Sequence, residues 1–448
     1  MKRQKLLALL LAAAMAVTAI SGCSSNGGGS QQSGTAGGAS SAGAASKADD
    51  GKVQELTYWG WWSSEARKPY IQEMVENFNK SQSKYHVTYV DIPFGDIFTK
   101  NIAQIAAGNP CDVIANTMEE VKFRASQSQV ESLDSYLDDA AKGAFYKQYL
   151  DACTGEDGSV YALPLSVDTR AIFYNKKQFG EAGVKPEEIK TWDDLVAAAR
   201  RLDVKKGSKF ERVGFLPLLG NNSVNTWITN ANSGTGFFGT DPIKATVNTS
   251  VNKEVLQWIR SQIEYYGQSK YDELTAAFKS GMQDPFASGA MSMVVQTSAY
   301  TSALKKTAPD LEYGVIPLPE FKSGTGHTTD GGGFVVEIPK GAKNPEGSYE
   351  FIKYVTSKET QEFLSDKIGD FSARNDFDDS AAFFQNPVNK DLAKCLEGTK
   401  TLIVPNQIKG YQDVVNPLID EGVLGKKSTD AALDAAQKAM EDFIASNQ

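Results

Sequence analysis

Three tryptophans fall within four positions, Trp59, Trp61 and Trp62, at the end of an alternating run that begins at Val53. Indole planes can cover the apolar face of a ring-shaped polyol, while carboxylates, amides and guanidinium forks hydrogen-bond its hydroxyls. Side chains alternate across a strand, so the three indoles cannot all enter one core. Either one or two are buried at the strand end with another left exposed, or the group faces a ligand. Asp96 precedes Phe98 at a helix start and is either an N-cap or a ligand. Asn116 lies just past the strand predicted over 111–115, where open α/β sheets hold ligands, or it caps the next turn.

Other chemistries lack their residues. The chain has two histidines, His86 and His327, and four cysteines, Cys23, Cys111, Cys153 and Cys395. No His/Cys group has metal-ligand spacing and no nucleophile motif adjoins either histidine, so no metal, cofactor or histidine-based catalysis is expected. His86 reads as a surface strand residue. Three thiols beyond Cys23 cannot all pair internally, and free buried thiols are favoured over a single bridge. The net charge of −9 and the lack of a basic stripe with interleaved aromatics argue against nucleic acid as a partner.

The elements that would position these residues are legible as periodicity. Residues 53–59 read as a strand. Pro69 opens a helix with Ile71, Met74, Val75 and Phe78 at i, i+3, i+4 and i+7. A strand follows at 85–90, then a helix carrying Ile97, Phe98, Ile102 and Ile105, stopped by Gly108 and Pro110, then the strand at 111–115. Alternation of this kind predicts parallel pairing in an α/β sheet covered on both faces. Thr191 to Asp194 predicts a capping box before Leu195, Val196, Ala199 and Leu202. Further helical stripes run through Val255 to Ile263, Tyr349 to Val355 and Leu433 to Phe443.

The first fifty residues read differently. Lys2, Arg3 and Lys5 precede an apolar run over 6–16 that is too short to span a membrane. Ile20-Ser-Gly-Cys23 resembles the lipobox of bacterial lipoproteins, which implies that residues 1–22 are removed and Cys23 carries lipid. Removing residues 1–22 takes away three basic and no acidic residues, and the net charge falls to −12. Residues 24–50 hold no aromatic or branched apolar side chain, so residues 23–50 form a lipidated cysteine followed by a flexible Ser/Gly linker. Such a coil typically reaches roughly 30 Å. The expected location is outside the cytoplasm, held to the cell membrane by lipid alone.

Several segments together resemble the extracellular solute-binding proteins of carbohydrate ABC importers, the maltose-binding-protein-like family. They are Leu56 to Trp62, Gly108 to Val113 (with Cys111 intruding before the aspartate), Tyr161 to Lys176, Phe286 to Met291, Asp330 to Val335, Asn344 to Phe363, and Val404 to Tyr411. They span essentially all of residues 51–448 in the family's order.

The resemblance implies an α/β fold of two lobes, periplasmic-binding-protein-like type II, joined by crossover strands that act as a hinge. One lobe would comprise 51–165 completed by 332–375, and the other 166–331 completed by 376–448. It implies a ligand role for Asp168, which could instead pair with adjacent Arg170, and an aromatic platform at Trp227, which could instead be ordinary packing. Gly332 and Gly333 would let backbone approach a ligand, or would form a bulge at the hinge. Arg374 and Tyr411 resemble site positions of the family, although Arg374 lacks the preceding proline. The expected "G-x-W" is replaced by Gln296 to Tyr300, which leaves Tyr300 as a substitute platform. The implied function is non-catalytic capture of a mono- or oligosaccharide by hinge closure and delivery to ABC transporter membrane subunits, by a monomer. The rivals are a surface glycosidase, which would cast Asp96 and Asp168 as carboxylates about 5–9.5 Å apart, and an adhesion lipoprotein.

Overall fold

The computed structural model describes residues 52–63, 67–240, 242–280, 283–377 and 381–447. The leader, Cys23 and the linker lie outside the described residues.

The strand Gln54–Gly60 pairs in parallel with Tyr85–Asp91 along its whole length, and with Val113–Thr117 on its other side. Helices intervene as the spacing predicts: Lys68–Ser81 buries Ile71, Met74, Val75 and Phe78, and Phe94–Ala106 buries Ile97. The third strand starts two residues later than its apolar run. Asp112 turns its carboxylate back to accept from the Thr57 backbone N–H at 2.8 Å and its hydroxyl at 3.0 Å, which pins that entry. Strand Gly333–Glu337 lies antiparallel between Val113–Thr117 and Ala162–Val167 and completes a five-stranded sheet.

A second sheet is antiparallel: Arg170–Asn175 lies between Met293–Thr297 and Tyr313–Ile316. The chain leaves the first sheet at Val167 and enters the second at Arg170, so Asp168 and Thr169 form one crossing. It returns between Thr329–Gly331 and Gly333–Glu337, with Gly332 as the second crossing. Phe371 bridges back to Val167 before the chain continues to helix Pro387–Leu396 and to Thr399–Thr401, which pairs in parallel with Thr329–Gly331. Two α/β lobes joined by short crossovers are thus built on the strand order of the type II binding-protein fold.

Two large hydrophobic cores support these lobes. One includes Leu56, Tyr58, Val113 and Phe351 and continues through Val167, Ala171 and Phe371 to one face of the second sheet. The other, with Ile172, Trp192, Ile259 and Met440, covers the opposite face. The predicted capping box is formed: Thr191 and Asp194 exchange side-chain-to-backbone hydrogen bonds at 2.9 and 3.3 Å before helix Trp192–Leu202. Cys111, Cys153 and Cys395 are free and buried. Burial pushes the Cys395 thiol up to about 12 and the other two higher, so none is a reactive thiolate near neutral pH.

Beneath the first sheet's exit lies a buried ion pair. Arg124 donates through Nε and Nη2 to Glu337 Oε2 at 3.0 and 2.7 Å, with side-chain exposures of 8% and 0%. Asn116 Nδ2 donates to the other carboxylate oxygen at 2.8 Å. The network ties the strand from the second crossing to the segment after Val113–Thr117.

Candidate functional site

The carboxyl end of strand Val113–Thr117 and both crossings meet near Gly332. Its N–H donates to Asp168 Oδ1 at 2.8 Å, and its carbonyl accepts from the Asp168 N–H at 3.0 Å. This reciprocal pair, rather than a bridge to Arg170, is what Asp168 makes. On the other side of Gly332, Glu119 Oε2 lies 3.6 Å from the position a Cβ would occupy. Two carboxylates therefore flank one glycine. Gly333 is a glycine for a different reason: a Cβ there would sit 2.2 Å from the Ser166 carbonyl oxygen, so the two strands could not approach. The register shift falls just beyond it, between Phe334 and Val335.

Arg170 braces this centre instead of neutralising Asp168. It donates to the carbonyl of Asn221 at 2.8 Å and of Asp330 at 3.0 Å, and its guanidinium lies 3.4 Å from the Asp330 carboxylate. Burial nevertheless raises the Asp330 pKa, with Arg170 acting in the opposite direction. Glu119 is reached by solvent, but the surrounding walls crowd its carboxyl. That desolvation raises its pKa, and Glu120 and Asp168 add to the effect.

The three tryptophans divide their work. Trp59 packs with Ile92, Ile97, Cys111 and Ile114 in a small core, with the Lys100 ammonium 4.9 Å over its ring. Trp62 is buried at 4% exposure, and its backbone N–H donates to the Tyr89 hydroxyl. Trp61 is half-buried. It stacks on Trp62 at 5.1 Å and meets Phe94, Phe98 and Phe334 edge-on or tilted at 5.0, 5.9 and 5.0 Å. Phe334, two residues after Gly332, thus links this aromatic group to the strand that follows the second crossing.

Asn116 is buried beside the same centre, with its amide engaged by Glu337 and by the Thr117 N–H. Asp96 is exposed in the first turn of helix Phe94–Ala106. It is not the N-cap, since Pro93 holds that position.

Four expected ligand positions lie elsewhere. Trp227 is fully buried among Trp192, Phe215 and Trp258 at ring distances of 5.2, 5.9 and 4.9 Å, and its N–H donates to the Pro217 carbonyl. It therefore presents no face to a ligand and is core. Tyr411 is likewise buried, edge-on to Phe238. The Tyr300 hydroxyl donates to Asp284 at 2.6 Å and its ring packs on Phe173, so it is a buried strut rather than an open platform. Arg374 grips Asp376 through two nitrogens and the Thr356 carbonyl through a third, on the wall of a separate cavity of about 320 Å³.

Sequence reasoning missed Glu119, Asp330, Phe334 and Lys409. Lys409 comes from the segment after Thr399–Thr401, yet pairs with Glu120 and lies 3.3 Å from the centre of the Phe123 ring. A signal for Glu119 was present: Met118-Glu-Glu follows the same strand end that singled out Asn116.

The raised Glu119 pKa has a testable consequence. A carboxylate raised in the fold destabilises it at neutral pH, where both states are ionised, and that penalty vanishes as pH falls below the ordinary value of 4.5. Glu119→Gln is therefore expected to raise the unfolding midpoint at pH 7 but not at pH 4, while weakening ligand affinity. Thermal unfolding at the two pH values checks the first part and calorimetric titration the second.

This architecture agrees with what known proteins show. The sequence profile of the bacterial extracellular solute-binding proteins matches residues 62–362, and the chain belongs to that family. A putative binding protein of Brucella abortus is 26% identical over 384 residues, covering 83% of this chain and 89% of its own. A maltooligosaccharide ABC transporter solute-binding lipoprotein of Streptococcus pneumoniae is 25% identical over 413 residues, covering 89% and 91%. Among solved structures, CpMnBP1 with mannotriose bound superposes with a TM-score of 0.76 at 22% identity, over 87% of this chain and 100% of that one. The family is one of binding proteins, and among the described residues no helix is long and apolar enough to cross a membrane.

Proposed function

We propose that this protein captures a carbohydrate outside the cell by closing its two lobes around it, and delivers it to the membrane subunits of an ABC transporter. The observation that carries the reading is the arrangement around Gly332: two carboxylates, Asp168 and Glu119, at the glycine, and a half-buried indole, Trp61, packed on Phe334 two residues further along the chain. An aromatic plane suits the C–H face of a pyranose, and carboxylates suit its vicinal hydroxyls. The ligands of the similar proteins, maltooligosaccharide and mannotriose, belong to the same chemical class.

In this reading Cys23 carries the lipid and residues 24–50 are the tether, so the protein works as a membrane-anchored monomer. The mass of the mature N-terminal peptide checks that assignment. Binding, rather than hydrolysis, is the role of Asp168 and Glu119. A thermal-shift screen over mono- and oligosaccharides tests the function. A sugar at 100 times its dissociation constant stabilises the fold by about 2.7 kcal/mol. A flat response across the panel, or release of reducing sugar on incubation, would remove the proposal.

A further inference from the structure

The cavity of about 320 Å³ beside Arg374 lies apart from the centre at Gly332, and none of Trp61, Glu119, Asp168 and Gly332 lines it. Helices from both sheets wall it. Helix Lys147–Ala152 packs on strand Ala162–Val167 of the first sheet, and helix Pro387–Leu396 on Arg170–Asn175 and Tyr313–Ile316 of the second. Between them runs the segment after Phe371, whose carbonyl accepts from the Val167 N–H at 2.8 Å.

The lining is aromatic: Tyr146, Tyr149, Phe371, Phe377, Phe383 and Phe384. Their planes stand across one another. Phe371 and Phe377 meet Phe383 at 82° and 87°, Phe377 meets Phe384 at 88°, and Tyr146 meets Tyr149 at 81°. An aromatic cluster packed for stability alone closes up and leaves few gaps larger than a water molecule. This one leaves a chamber, with Tyr146 on its wall 49% exposed.

The charges around the chamber do not balance. Arg374 is engaged, donating to both Asp376 oxygens at 2.8 and 2.7 Å and to the Thr356 carbonyl at 2.9 Å. Glu397 also lines the chamber, and its exposed carboxylate has no hydrogen bond or ion pair among the described residues. It is the C-cap of helix Pro387–Leu396, at the negative end of the helix dipole, where an acidic side chain has the unfavourable sign. Lys394, the basic residue of that last turn, is turned to Asp391 at 2.9 Å. A cation in the chamber would answer Glu397 and the helix end together, and ring faces attract the same charge.

The walls also select the kind of cation. A primary ammonium brings three N–H donors that need acceptors around one point. Here the Ser372 hydroxyl already accepts from the Arg374 backbone N–H at 3.1 Å, and rings form most of the wall. A quaternary ammonium has no N–H to satisfy, and its methyl groups pack on the rings that attract its charge. We infer that this chamber is a second binding site, for a small quaternary ammonium compound, with the methyl groups against the aromatic walls and the charge beside Glu397. The inference goes beyond the carbohydrate reading and does not depend on it.

Calorimetric titration of the full-length protein, in an uncharged and non-glycosidic detergent, tests this. The probes are choline chloride and tetramethylammonium chloride, with 3,3-dimethylbutan-1-ol as the uncharged isostere of choline. The wild type is expected to bind both cations, and to bind the alcohol about tenfold more weakly than choline. Glu397→Gln keeps the size and removes the charge, and is expected to lower choline affinity about tenfold while leaving the alcohol unchanged. Tyr146→Ala removes an exposed wall and is expected to lower choline affinity about fivefold. Both positions are exposed, and an unchanged unfolding midpoint verifies that each variant folds. Should either fail to fold, the comparison of choline with the alcohol on the wild type decides alone. Equal affinity for choline and the alcohol, no binding of either cation, or choline binding indifferent to both substitutions would overturn the site. Loss of sugar affinity in Tyr146→Ala would overturn it too, by making the chamber part of the sugar cleft.

Discussion

Replacing Arg124 with Met is expected to cost about 3–5 kcal/mol of stability, among the largest effects of any single substitution here. The reason is the state of its partner. Glu337 is wholly buried, and of the three side-chain hydrogen bonds it accepts among the described residues Arg124 supplies two and Asn116 the third. Methionine fills much of the space but leaves the carboxylate without a counter-charge. Removing both charges, in Arg124→Met with Glu337→Leu, is expected to recover most of the loss, because replacing a buried pair by apolar groups of similar volume is often near neutral. Urea unfolding of the two variants and of Glu337→Leu alone gives the cycle.

A second large effect separates two tryptophans that look alike in the sequence. Trp227→Ala is expected to cost about 3–5 kcal/mol of stability, because it empties the core between Trp192, Phe215 and Trp258. Trp61→Ala is expected to cost much less stability but about 1–3 kcal/mol of sugar binding, the transfer value of a covered apolar side chain. Unfolding midpoint and calorimetric affinity, read on both variants, check the split. Equal stability losses with unchanged affinity would mean that Trp61 is core as well.

These two cases show what a single sequence can and cannot convey. Periodicity was a faithful guide to the helix Lys68–Ser81 and the cap at Thr191, because burial and capping are local consequences of spacing. The family order of motifs conveyed the two lobes and their crossings. What did not carry was side-chain direction. Trp59, Trp61 and Trp62 are separated by one or two residues, yet only backbone geometry beyond Gly60 decides that Trp61 stays half-exposed. Trp227 falls at a position that resembles a platform and Tyr411 at one that resembles a site position, and tertiary packing turned both inward. Glu119 escaped notice because its role depends on Gly332, more than two hundred residues away, and no local pattern encodes that approach. Asp168 was read either as a ligand or as the partner of adjacent Arg170, and the second alternative does not hold, because Arg170 serves Asn221 and Asp330 instead.

The central claim is that sugar binding closes two lobes about the crossings at Asp168 and Gly332. Residues 51–448 form one compact unit, which makes small-angle scattering of that unit the most direct measurement. At saturating concentrations of a sugar that binds, the radius of gyration is expected to fall relative to the free protein. An identical scattering profile with and without bound sugar would contradict hinge closure as the means of capture.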